Sequence, residues 1–140
     1  MEQPIGKMIL KCVVIRKDQS IKDLLKMLSE ESSNFIAVVD EEGKAVGVAT
    51  ENDLLKLLKL EPIPGVQAVV TSDVGEEILK QSVSAIMAKE PVKLKNDATT
   101  KEALEIMTSN SFRYLLVVDD DGRPVGYVRL MQLLKKMVKE

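Results

Sequence analysis

A hydroxyl and a carboxylate stand three residues apart in the segment Gly47-Val-Ala-Thr50-Glu-Asn-Asp53, where a strand pattern runs directly into a helix pattern. A helix start presents unpaired N–H groups and a partial positive charge, and both favour a bound phosphate. A carboxylate at this place can accept two hydrogen bonds from the hydroxyls of a ribose. The same spacing is that of a capping box, in which the two side chains only satisfy the helix backbone. The motif therefore predicts either a nucleotide site or an ordinary helix cap.

The composition removes most other chemistry. The 140 residues contain no histidine and one cysteine, Cys12, which we expect to be a small buried hydrophobe. Most metal sites, nucleophiles activated by a histidine base and disulfide frameworks are therefore excluded. The net charge of −2 and the small number of aromatic residues (two Phe and two Tyr) argue against a nucleic-acid surface. No apolar run approaches the roughly 20 residues that cross a membrane, so we expect a cytoplasmic binding protein.

The chain repeats itself at a spacing of 79 residues. A shift by that number aligns Cys12–Lys59 with Pro91–Val138 without a gap, and 14 of the 48 aligned positions are identical. Chance would give only a few matches, so the chain consists of two related copies. We expect a first repeat at residues 1–60, a connecting insert at 61–82 and a second repeat at 83–140.

Each copy has the pattern of strand, helix, strand, strand and helix. Ser20 and Thr99, each followed by an acid three residues later, are typical of capped helix starts. Phe35–Val39 and Tyr114–Val118 are continuous apolar runs, typical of strands that are covered on both faces. Each run leads through an acidic turn that ends in glycine to a second strand. The remaining predicted elements are strands at Val13–Ile15 and Val92–Leu94, closing helices at Leu54–Leu58 and Leu133–Val138, and a helical turn at Glu76–Lys80.

The size of each half predicts how the two copies associate. A half of about 50 residues cannot easily bury its helices and its sheet alone. Two related halves would solve this by packing their sheets face to face about a pseudo-twofold axis. Such an arrangement leaves two related clefts, and clefts between halves are where ligands commonly bind.

This ordered set resembles a pair of CBS domains, also called a Bateman module. The resemblance rests on Val-Val-Asp-x-x-Gly-x-x-Val-Gly in both copies, on Gly47–Asp53 and on Val83–Met87, and it covers Met8–Lys59 and Val83–Val138. It implies an α/β (α+β) fold of two pseudo-symmetric β-α-β-β-α CBS repeats packed sheet to sheet. It also implies that each cleft can hold an adenosine-containing ligand, such as AMP, ADP, ATP, S-adenosylmethionine or a dinucleotide. A homodimer in the form of a flat four-repeat disc is expected as well.

The resemblance assigns roles to residues in the first of the two clefts. Thr50 would contact phosphate or ribose, and Asp53 would hold the ribose hydroxyls. The adenine would lie in an apolar slot near Val48 and Phe35. The second copy would contribute the segment before its first strand and the start of its second strand. The residues concerned are Met87, Glu90, Val92, Arg113 and Tyr114.

The second cleft, to which Val13 would contribute, departs from this pattern. Arg129 stands in place of Thr50, and Gln132 stands in place of Asp53. The loss of the carboxylate at Gln132 weakens or removes ribose binding. Arg129 either stays solvated or reaches phosphate oxygens with its guanidinium group. We therefore predict one intact site and one altered site.

Three functions remain after these considerations. The first is a regulatory module without catalysis or a required cofactor, in which an adenosyl ligand biases the angle between the halves and an unknown protein partner responds. The alternative is a structural dimerisation scaffold with no physiological ligand, which the altered second cleft favours. An enzyme that acts on a nucleotide is the third, but the sequence has no paired-carboxylate or metal-ligand set to support it. Neither nucleic acid nor a membrane is expected as a partner.

Overall fold

The first repeat forms the expected elements in the expected order. The computed structural model of the chain describes residues 3–30, 35–54 and 76–139. The elements of the first repeat are β1 (Val13–Arg16), α1 (Ile21–Glu30), β2 (Ile36–Val39), β3 (Ala45–Ala49) and α2, described over Glu51–Leu54. The rest of the helix predicted at Leu54–Leu58 lies outside the described residues. The predicted cap of α1 is confirmed, because Ser20 Oγ accepts a hydrogen bond from Asp23 N at 3.1 Å.

Two short elements in the described part of the chain, α3 (Glu76–Lys80) and β4 (Ala88–Lys89), come before the strands of the second repeat. The second repeat then has the same order as the first: β5 (Lys93–Lys95), α4 (Thr100–Asn110), β6 (Tyr114–Val118), β7 (Pro124–Arg129) and α5 (Leu130–Lys139). Single 3-10 turns lie at Gly6–Met8 and Val83–Ala85. The capping box predicted at Thr99 is confirmed. Thr99 Oγ1 accepts from Glu102 N and Glu102 Oε2 accepts from Thr99 N, both at 3.2 Å. The sequence does not predict β4.

Each sheet contains backbone pairing between residues of both repeats. The first sheet has the order β1-β2-β3-β4 and the second has the order β5-β6-β7. In each repeat the first strand is parallel to the second, and the second is antiparallel to the third. β4, which precedes the second repeat's own strands, extends the first sheet by pairing Ala88 with Val48. In return, Leu10 and Tyr127 of β7 exchange two backbone hydrogen bonds, of 2.8 and 2.9 Å.

The two sheets pack face to face across a shared apolar core, as predicted. Side chains from both repeats meet in this core: Cys12, Phe35, Ala37 and Ala45 from the first, with Leu116, Val118 and Tyr127 from the second. Alternate residues of the same strands, such as Val38 and Val117, face two further cores beneath the helices. Because both faces are covered, β2 is buried along its whole length.

The segments before the repeats are exchanged between them. We call residues 3–12 the first lead-in segment and residues 81–91 the second. Ile5 of the first lead-in segment is fully buried in the second repeat's core, and its N–H donates to Ala98 O at 3.0 Å. Val83 of the second lead-in segment is fully buried in the first repeat's core, and its N–H donates to Gln19 O at 2.8 Å. Each repeat therefore completes the core of the other.

In the two acidic turns, an aspartate side chain accepts hydrogen bonds from backbone N–H groups of the same turn. Asp40 Oδ1 accepts from the N–H groups of Glu42 and Lys44, at 2.9 and 3.0 Å, and the corresponding oxygen of Asp119 does the same in the second turn. The hydrogen bond from Lys44 N is the main reason why the pKa of Asp40 lies below its usual value. Gly43 and Gly122 take the positive φ angles, 84° and 82°, that these turns require. Turn chemistry thus accounts for the acids, and the described residues include no group of three or more that could hold a metal ion.

Among the described residues, no helix combines the length and the apolar character needed to cross a membrane.

Candidate functional site

A cavity of about 610 Å³ opens between the two repeats at the end of β3. We call it the first cleft. Its volume lies within the usual range for small-molecule sites, about 300–1,000 Å³. Both repeats supply its walls: Phe35, Val48 and Thr50–Asp53 from the first, and Ala88–Val92 and Ser111–Leu116 from the second. A ligand held here would touch both halves of the molecule.

Thr50 and Asp53 meet where β3 passes directly into α2. Asp53 Oδ2 accepts a hydrogen bond from Thr50 N at 2.9 Å, which satisfies the backbone at the helix start. Thr50 Oγ1 donates to the same oxygen at 3.4 Å, while Asp53 N donates to Thr50 O at 3.0 Å. This is half of the capping box that the spacing predicts. Because both residues also line the first cleft, the capping role and a ligand-binding role are compatible.

The structure brings together most of the residues predicted for the first cleft. Those that line it are Phe35, Val48, Thr50, Asp53, Glu90, Val92, Arg113 and Tyr114. Met87 is not among the lining residues. Its thioether lies against Gly47, where a β carbon would collide with it, and it packs on the core beneath α1. The absence of a side chain at Gly47 leaves the space that Met87 fills.

The first cleft has an apolar side and a charged side. Phe35 and Tyr114 form part of the apolar side, with ring centroids 6.2 Å apart. Lys89 and Arg113 bring positive charge to the lining, and Glu51, Asp53 and Glu90 bring negative charge. An aromatic and aliphatic surface beside charges of both signs suits a ligand with a flat base, a hydroxylated sugar and an anionic group.

The sequence does not identify every residue that lines the first cleft, and Phe112 and Lys89 are two of those it misses. Phe112 lines the cavity and keeps 36% of its surface exposed. Lys89 lies next to Glu90, which the sequence does identify. The 79-residue shift aligns Phe112 with Ser33, so the repeat gives no indication of its role. An aromatic residue beside Arg113, in a chain with so few aromatics, is the signal that could have found it.

The residues predicted for the second cleft lie in different surroundings. Arg129 ends β7 and is exposed. Gln132 is half-buried in α5, and its Oε1 atom is shielded from solvent without a hydrogen-bond partner among the described residues. Val13 is only 3% exposed and belongs to the core beneath α1, whereas its counterpart Val92 is 39% exposed and lines the first cleft. The equivalent residues of the two repeats therefore differ in their surroundings as well as in sequence.

Cys12 is a free, buried thiol in the core between the sheets. Burial raises the pKa of this thiol above its usual value. A thiol with a raised pKa is a poor nucleophile at neutral pH, so this result agrees with the expected structural role.

Comparison of the sequence with known protein families supports the division into two repeats. The sequence model described as "CBS domain" matches the chain twice, at residues 5–60 and 83–139. The chain belongs to the CBS domain family. An uncharacterized protein of Methanocaldococcus jannaschii is 24% identical over 152 residues, covering 96% of this CBS pair and 90% of that protein.

Solved structures of other proteins show the same fold. The cytosolic domain of the Mg²⁺ channel MgtE, in complex with ATP, is 25% identical with a TM-score of 0.72. That match covers 97% of this CBS pair and 49% of the MgtE chain. CBSX2 in complex with AMP is 19% identical with a TM-score of 0.73, covering 98% of this CBS pair and 97% of that chain, and this likeness concerns the fold.

Proposed function

We propose that this CBS pair is a regulatory module that binds an adenosine-containing ligand in the first cleft and catalyses no reaction. One observation carries the proposal. A cavity of about 610 Å³ is lined by Thr50 and Asp53 of one repeat and by Arg113 and Tyr114 of the other. CBS domains are regulatory modules, and the related domain of MgtE was solved in complex with ATP. The ligand class comprises AMP, ADP, ATP and S-adenosylmethionine.

Each part of such a ligand has a complementary surface in the first cleft. The carboxylate of Asp53 can accept hydrogen bonds from ribose hydroxyls, in addition to the one from Thr50 N. The positive side chains of Lys89 and Arg113 can attract phosphate oxygens. The apolar side, formed in part by Phe35 and Tyr114, suits an adenine ring.

The position of the ligand suggests how binding would be transmitted. The lining comes from both repeats, so a ligand would prefer those arrangements of the two halves that close around it. A ligand changes a conformational equilibrium only through such differential contacts. We propose that a protein partner in the cytoplasm responds to this change in arrangement.

A homodimer is part of the same proposal. α5 carries a row of apolar side chains that remain exposed: Met131 (55%), Leu134 (39%), Met137 (39%) and Val138 (86%). Met131, Leu134 and Met137 follow one another at intervals of three residues and Val138 lies four residues after Leu134, so the row runs along one side of the helix. A second copy of the chain would cover this row, and analytical ultracentrifugation would measure the resulting mass. A charged substitution, Leu134→Lys, is expected to shift the mass towards that of the single chain.

The nucleotide proposal is tested by melting the protein with AMP, ADP, ATP and S-adenosylmethionine in turn. A ligand at 100 times its Kd stabilises the folded state by about 2.7 kcal/mol. The double variant Thr50→Ala/Asp53→Ala is expected to lose this response. The matched control is Ser20→Ala/Asp23→Ala, which removes the cap of α1, outside the first cleft. Gln132→Ala is a second control that leaves the first cleft unchanged. Both controls are expected to bind as the wild type does.

The outcomes separate the candidate functions. If none of the four compounds raises the melting temperature, the dimerisation scaffold replaces the proposal. If the Thr50→Ala/Asp53→Ala variant and the cap control lose binding equally, the ligand does not bind through these side chains. If a bound nucleotide is converted to a product during long incubation, the protein is an enzyme.

A further inference from the structure

The two clefts differ most at the position that would face the adenine. The 79-residue shift places Tyr127 on Val48, and it places Phe35 on Tyr114. In the first cleft, Val48 is half-buried and both it and Tyr114 line the open cavity. The first cleft is therefore open between a short aliphatic side chain and an aromatic ring. The pair that corresponds to Val48 and Tyr114 consists of two aromatic rings, Tyr127 and Phe35, and Phe35 also lines the first cleft.

Those two rings are in contact with each other. The centroids of Phe35 and Tyr127 are 4.8 Å apart and the ring planes differ by 12°, which is a stacked arrangement. Tyr127 is 8% exposed. Its backbone is fixed on both sides, because it donates to Leu10 O at 2.9 Å and accepts from Leu10 N at 2.8 Å. The phenol ring is therefore held against Phe35 in the core between the sheets, at the position that corresponds to Val48 of the first cleft.

A second observation concerns the position that would face the ribose. Asp53 lines the open first cleft, but the equivalent Gln132 has its Oε1 atom shielded from solvent, with no hydrogen-bond partner among the described residues. Among the described residues, the side chains at the positions that correspond to the base and to the sugar are therefore both turned away from solvent.

We propose that the side chain of Tyr127 takes the place of the adenine in the second cleft, so that each chain binds one nucleotide and not two. This inference rests on the proposed function of the first cleft. It adds a steric cause to the altered polar residues Arg129 and Gln132. Restoring a threonine and an aspartate at those two positions would not by itself make a second site, because the ring would still occupy the place of the base.

Isothermal titration calorimetry with AMP, ADP, ATP and S-adenosylmethionine in turn tests this stoichiometry. The wild type and the variant Arg129→Thr/Gln132→Asp are each expected to bind one ligand per chain. Adding Tyr127→Val to that variant is expected to give two ligands per chain. The reverse substitution, Val48→Tyr, introduces the ring into the first cleft and is expected to weaken binding at least about tenfold.

Several results would overturn the inference. These are two ligands per wild-type chain, two per Arg129→Thr/Gln132→Asp chain, one per folded chain of the triple variant, or unchanged affinity in Val48→Tyr. Circular dichroism shows whether each variant is folded, and Val48→Tyr decides the question if the triple variant is not. A wild type that binds none of the four compounds refutes the proposed function itself. Wild-type binding with an unaffected Val48→Tyr variant refutes only the inference about Tyr127.

Discussion

Replacing Gly126 with alanine is expected to destabilise the protein strongly. A β carbon at this position in β7 would collide with the backbone oxygen of Leu10 and with the Cγ2 methyl of Ile9. The oxygen cannot move aside as the end of a flexible side chain can, because it accepts a hydrogen bond from Tyr127 N at 2.9 Å. The substitution therefore forces the first lead-in segment away from β7.

The expected loss of stability in Gly126→Ala follows from the contacts between the first lead-in segment and β7 that must break. The two hydrogen bonds between Leu10 and Tyr127 contribute about 1 kcal/mol each, or about 2 kcal/mol together. Overpacking typically costs about 1–3 kcal/mol. Alanine restricts the unfolded chain and thereby recovers about 0.4–1 kcal/mol. We expect the free energy of unfolding to fall by about 2–5 kcal/mol.

Two other glycines provide matched controls. A β carbon on Gly6 would meet no atom within 4 Å, and its φ is not in the left-handed region, so Gly6→Ala should be neutral or slightly stabilising. Gly122 also has open space around it, but its φ is +82°. Gly122→Ala should therefore show backbone strain alone, about 1–2 kcal/mol. The series separates collision from strain.

Urea denaturation of the three variants and the wild type measures these differences. Gly6→Ala is expected to be the most stable variant, Gly122→Ala is expected to be intermediate and Gly126→Ala is expected to be the least stable. Thermal melting should follow the same order, because 1 kcal/mol corresponds to roughly 4 °C in a domain of this size. A Gly126→Ala variant whose free energy of unfolding lies within 1 kcal/mol of that of Gly6→Ala would refute the reasoning.

Two further substitutions, Thr99→Ala and Asp40→Asn, test the capping box of α4 and the first acidic turn. Thr99→Ala removes both the acceptor for Glu102 N and the capping box of α4, so urea denaturation should show a loss of about 1 kcal/mol; an unchanged midpoint would contradict this. Because the folded pKa of Asp40 is lowered, its carboxylate stabilises the protein above the unfolded pKa of about 3.9, and this contribution is lost as the pH falls through the folded value. Asp40→Asn should therefore be less stable than the wild type at pH 7, with a difference that shrinks below pH 4, whereas a difference independent of pH would exclude this cause.

The regular elements could be predicted from the sequence because their signals are local. The capped starts at Ser20 and Thr99 and the continuous apolar strands depend on neighbouring residues, and the repeat supplies each signal twice. β4 could not be predicted. It has only two residues, Ala88 and Lys89, both exposed, and it exists because β3 of the other repeat offers an edge to pair with. That pairing is a property of the tertiary structure.

The part of the first cleft that depends on local sequence signals could also be predicted. Thr50 and Asp53 carry a spacing that is visible in the sequence, and the structure places both at the first cleft. Val13 and Val92 occupy equivalent positions with the same side chain, yet one is 3% exposed and the other 39%. Only the packing around them distinguishes these two valines. Met87 is likewise positioned by the space above Gly47, which no local pattern reveals.

The exchange of lead-in segments makes the two repeats depend on each other for stability, and a single covalent chain lets their sequences become different. A single repeat would lack the buried residue, Ile5 or Val83, that its partner provides, so association would stabilise two separate repeats. The stability of such a pair would depend on protein concentration, and joining the repeats in one chain removes that dependence. A pair of identical repeats would also have two identical clefts by symmetry. One covalent chain frees each cleft to change alone, so Thr50 can persist in one while Arg129 stands in the other.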